Sequence, residues 1–108
     1  MQWTKMMDVL NSCNAATNLK ISWEDGFAFI GSVNTISESC TCELEENNPN
    51  YLEYYMCVVK IKSILQYPSD SSRYLKYAEI KEGDLYELSI LNEPKKIEIV
   101  GKGVIWSK

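Results

Sequence analysis

Two cysteines one residue apart, Cys40 and Cys42, and two isolated ones, Cys13 and Cys57, are the side chains of this 108-residue chain best suited to metal or redox chemistry. Four thiolates can hold zinc tetrahedrally, but structural zinc sites usually draw on two closely spaced pairs, and this chain has one. Each cysteine falls on an apolar stripe, where a free thiol behaves as a small buried hydrophobe. The expectation is therefore no metal, no cofactor and four reduced thiols, as befits a reducing compartment.

Catalytic pairs are equally sparse. Histidine is absent, so no serine or cysteine has the usual base beside it. Acidic clusters at Glu43, Glu45 and Glu46, and at Glu79, Glu82 and Asp84, fall at predicted turns, where solvated charge is the ordinary explanation. Gly101-Lys102-Gly103 lacks the strand, loop and helix of a phosphate cradle and reads as a tight turn. A non-enzymatic protein is expected.

Seven tyrosines are the distinctive supply, and four of them flank two long loops. Tyrosine joins a large apolar face to a hydroxyl at modest entropic cost, which suits recognition of another protein. Glu45, Glu46, Tyr51, Tyr54, Tyr55, Tyr67, Tyr74 and Tyr77 are accordingly the candidate partner-binding residues. Lys60, Lys62, Lys95 and Lys96 form an alternative set for a small nucleotide-like ligand.

Composition narrows the partner. The net charge is -4 and the pI about 4.8, which repels phosphate backbones and makes nucleic acid an improbable partner. Acidic loops instead suit a partner protein with a basic surface. No apolar stretch approaches the roughly 20 residues of a membrane helix. Polar and acidic residues interrupt the first ten positions, where an export signal would place its apolar core, so a cytoplasmic protein is expected.

These candidates must be positioned by one small domain, residues 1–108, since this length supports a single core. Trp3, Met6, Met7, Leu10 and Cys13 follow helical spacing, predicting an amphipathic helix over residues 2–15 without a clean N-cap. From Leu19 the period changes to two. Leu19 to Trp23 predicts a strand, Asp25-Gly26 a tight turn with positive φ, and Phe27 to Val33 the returning strand. Gly31 inside that strand marks a bulge or a close backbone approach.

Ser39 to Glu45 alternates again, residues 45–50 form a loop, and Tyr55 to Ile61 is a strand buried partly on both faces. A second loop covers residues 67–73. Leu85 to Leu91, Lys95 to Val100 and Val104 to Trp106 supply further strands.

The run Leu19-x-Ile21-x-Trp23-x-Asp25-Gly26-x-x-Phe29-x-Gly31-x-Val33 resembles the first motif of the Sm-like proteins, and the resemblance extends over residues 3–64. It implies a mainly β fold with one N-terminal α-helix: a small bent antiparallel barrel, Sm-like or SH3-like, here with extra C-terminal strands. It also implies a homo-oligomer built by pairing of edge strands, with an RNA- or nucleotide-binding ring as the alternative function. Ser37 and Cys40-Thr41 stand where that family has an aspartate and a Met-Asn pair, and Ile61-Lys62-Ser63 where it has Ile-Arg-Gly. The short acidic layout is also similar to small phage and Gram-positive bacterial proteins. The leading expectation is a binding or inhibitor protein, of the kind used in phage counter-defence, that sequesters or blocks a partner.

Overall fold

The computed structural model describes residues 3–41, 43–67 and 80–108. Thr4 caps the helix α1, Lys5–Asn11. Its Oγ1 accepts a hydrogen bond from the Met7 N–H at 3.1 Å, satisfying a donor that every helix start leaves without an intrahelical partner. So the start is capped after all, and the helix is shorter than the 2–15 predicted. It ends where the Ser12 N–H turns back onto the carbonyls of Asp8 and Val9. Met6, Met7 and Leu10 are buried, and Cys13, just past the helix, packs against the same core.

Among the described residues six strands follow: β1, Leu19–Ser22; β2, Ala28–Cys40; β3, Glu53–Gln66; β4, Leu85–Leu88; β5, Lys96–Ile99; and β6, Gly103–Ser107. They form one antiparallel sheet in the order β4-β3-β2-β1-β5-β6. The turn between β1 and β2 has three residues, not two. Trp23 N–H donates to Phe27 O at 2.8 Å and Gly26 N–H to Trp23 O at 3.1 Å. Gly26 carries the positive φ, +93°, and among the described residues no non-glycine residue has one. This is a turn closed by a glycine bulge. Asp25 contributes through its side chain, whose Oδ1 accepts from the Phe27 N–H at 3.1 Å.

Alternation sorts the faces. Leu19 and Ile21 of β1, Phe29 of β2, Val59 and Ile61 of β3, Tyr86 and Leu88 of β4 and Ile97 of β5 are buried on one side with the helix residues. Rings of Trp23, Phe27, Phe29 and Tyr86 meet there, every pair with centroids 5.3 to 5.8 Å apart. The β2–β3 register shifts between Ile30 and Gly31. A Cβ at Gly31 would run into the Lys60 carbonyl oxygen, so the glycine permits a close approach of two backbones.

The expected barrel does not close. β4 and β6 are the two ends of the sheet order and do not pair with each other. Three register shifts interrupt the β2–β3 pairing, two with the extra residue on β3 and one with it on β2, but β4 and β6 have only four and five residues. Meanwhile β2 and β3 run to 13 and 14 residues, well past their neighbours. No helix among the described residues is long and apolar enough to cross a membrane.

Candidate interaction surface

The excess length of β2 and β3 makes an arm. β1 pairs with β2 from Ala28 to Gly31 and β4 pairs with β3 from Cys57 to Lys60, whereas β2 and β3 stay paired out to Cys40 and Glu53. The distal part, with Ser37 opposite Met56, Glu38 opposite Tyr55 and Ser39 opposite Tyr54, is a two-stranded ribbon.

Short-range hydrogen bonds shape its tip. Thr41 N–H donates to Leu52 O at 2.9 Å, and Leu52 N–H donates to Thr41 Oγ1 at 2.8 Å. Asn48 N–H reaches Glu45 O, and Tyr51 N–H reaches Asn48 O, both at 2.9 Å. Asn50 N–H donates to Asn48 Oδ1 at 2.8 Å. Asparagines so placed let side chains take the part of a backbone turn. Cys40, at the end of β2, is disulfide-bonded, while Cys13 and Cys57 keep free thiols. The expectation of four reduced thiols is thus corrected at Cys40. Compartment sets only the general redox state of thiols, whereas bonding also depends on a second sulfur within reach. Cys42 lies outside the described residues.

Glu45, Glu46, Tyr51, Tyr54 and Tyr55 all sit on this arm. Glu45 and Glu46 are in the tip loop. The Tyr51 hydroxyl donates to Glu53 Oε1 at 3.5 Å. Its pKa is raised by local desolvation, and further by the carboxylates of Glu53 and Glu46 and by that hydrogen bond. Tyr54 is buried. Tyr55 is packed partly against the core and meets Trp3 edge-on, with centroids 4.9 Å apart. Tyr67 is exposed but follows the opposite end of β3, separated from the tip by roughly 45 Å of extended chain at about 3.3 Å per residue. Tyr74 and Tyr77 lie outside the described residues.

The lysines form no single cluster. Lys60 is on β3 opposite Ser32 and Leu85, and Lys62 donates through Nζ to Asn18 Oδ1 at 2.7 Å. Lys95 and Lys96 belong to the β5 side, with β2 and β1 lying between it and β3, and there Lys96 Nζ lies 3.7 Å from Glu98 Oε2. A groove of about 280 Å³ is lined by Lys5, Val104, Ile105, Trp106 and Ser107 and includes none of these four.

One further property of the arm was open to sequence reading. From Asn34 to Val59 there are five carboxylates, Glu38, Glu43, Glu45, Glu46 and Glu53, and no lysine or arginine. The chain's net charge of -4 is thus concentrated on the arm. Noting which residues are missing across this span would have found it.

A family model described as cognate immunity protein YxxD matches residues 1–108, the whole chain. The chain belongs to that family. No curated protein and no solved structure matches it. Among the described residues no three histidine, cysteine or carboxylate side chains are grouped to hold a metal ion.

Proposed function

We propose that this chain is a non-enzymatic inhibitor that binds a cognate toxin and blocks it, and that the β2–β3 arm is the surface that makes contact. The observation that carries this reading is the full-length match to a cognate immunity family. Support for the arm comes from the reach of β2 and β3 past their neighbours, from Tyr51 near its tip and from its unbroken negative charge. Five carboxylates without a neighbouring cation create a field that a basic toxin surface would relieve, speeding encounter and fixing orientation. Tyr51 beside Glu53 adds apolar area next to the charge.

Inhibition then needs no chemistry from this chain. A ribbon seated over a basic substrate-binding surface excludes the toxin's substrate by occupancy. The membership of the family favours a toxin as the target over a component met in counter-defence.

Co-expression tests the reading. Cells making the toxin should survive when they also make this chain, and the two should purify together at a fixed ratio. A toxin that stays active with the folded chain present in excess would refute the proposal.

A further inference from the structure

The arm has an unused side. Thr41 N–H points across to Leu52 O, and in an antiparallel pair the direction of backbone groups alternates from residue to residue. The N–H and C=O groups of Ser37 and Ser39 therefore face β3, while those of Ile36 and Glu38 face away from it. β1 covers β2 from Ala28 to Gly31 and stops. Among the described residues no strand pairs with the outer edge of Thr35–Ser39.

Such an edge is a template for another chain, and proteins usually blunt it with lysine, proline or a covering element. Here Thr35, Ile36, Ser37, Glu38 and Ser39 contain neither lysine nor proline. A strand laid along them would find Ile36 and Glu38 on one face and Thr35, Ser37 and Ser39 on the other, a pattern that gives both main-chain bonds and side-chain selection. The surrounding charge says which strand fits. The arm carries five carboxylates and no cation.

We infer that an extended segment of the toxin, carrying lysine or arginine, adds as a strand to the β2 edge at Thr35–Ser39. This rests on the toxin-blocking reading and specifies how the partner is held. It separates two contributions: the tip carboxylates attract and orient, and the Ile36 and Glu38 main chain binds.

The test uses amide hydrogen exchange on the full chain, free and in complex with the toxin against which it protects cells. The Ile36 and Glu38 amides should slow by about tenfold or more in the complex, whereas those of Ser37 and Ser39, already bonded to β3, should change little. Glu38→Pro removes an outward N–H without breaking the ribbon's own ladder, as proline on an edge strand allows. It should weaken toxin binding by about tenfold or more, and Glu38→Gln, which removes only the charge, by no more than about fivefold. A complex in which Ile36 and Glu38 exchange as in the free chain overturns the inference, even if Glu38→Pro does not fold. Wild-type affinity in a folded Glu38→Pro variant overturns it too. Protection of the same amides in the free chain, rising with its concentration, would assign the edge to a second copy instead. A wild-type chain that forms no complex would overturn the toxin-blocking reading itself.

Discussion

Trp3 stands edge-on to Tyr55, with ring centroids 4.9 Å apart and planes at 76°, so the residue before the helix cap braces the two-stranded part of the arm. Edge-to-face rings contribute about 0.5–1.5 kcal/mol beyond the area they bury. Trp3 is 41% exposed, and Trp3→Ala should cost about 1 kcal/mol of stability. The sharper sign is local: the amides of Tyr54 and Met56 should exchange faster, while those of β1 and β5 keep their rates.

Loss of a core ring has a different scale. Phe29 is fully buried among Trp23, Phe27 and Tyr86. Phe29→Ala should destabilise the chain by roughly 3–5 kcal/mol through lost transfer energy and the cavity left behind. Gly31→Ala forces a methyl against the Lys60 carbonyl and should cost about 1–3 kcal/mol, as overpacking does. Urea unfolding measures both.

Thiol titration gives a pH dependence. Burial, and then the proximity of Cys13, pushes the Cys57 thiol up from 9.0 to about 12. The folded chain therefore holds this proton to higher pH than the unfolded chain does. The associated stability is fully present below about pH 9 and is lost as pH rises toward about 12. Cys57→Ala should flatten that part of the stability profile. In the native protein at pH 8, half-buried Cys13 should be alkylated well before buried Cys57, and Cys40 should react after reduction alone.

How much of this was legible follows from the range of each interaction. Alternation at Leu19, Ile21 and Trp23 announced β1, because it depends on neighbours within a few residues, and a glycine inside a strand pattern announced a close approach at Gly31 although the backbone it meets, at Lys60, lies far along the chain. The turn at Asp25 was placed correctly, but its three-residue form was not, since a type of turn depends on how two strands are offset. Sheet closure was misjudged for a similar reason. Whether β4 meets β6 depends on strand lengths and accumulated bend, which no local pattern encodes. Glu45, Glu46, Tyr51, Tyr54 and Tyr55 could be singled out by type, yet their gathering on one ribbon required knowing that β2 and β3 outrun β1 and β4. Tyr67 shared their composition and went to the opposite end of β3.

The most direct test of the central claim compares toxin affinity, by calorimetry, for the wild-type chain and a Glu45→Lys, Glu46→Lys, Tyr51→Ala variant across a range of salt. These residues sit at the exposed tip, so the melting temperature should move little, with stability changes within about 1 kcal/mol. The account predicts that the variant binds about a hundredfold more weakly or worse and that its affinity depends less steeply on salt. A folded variant that binds the toxin with wild-type affinity and salt dependence would contradict it.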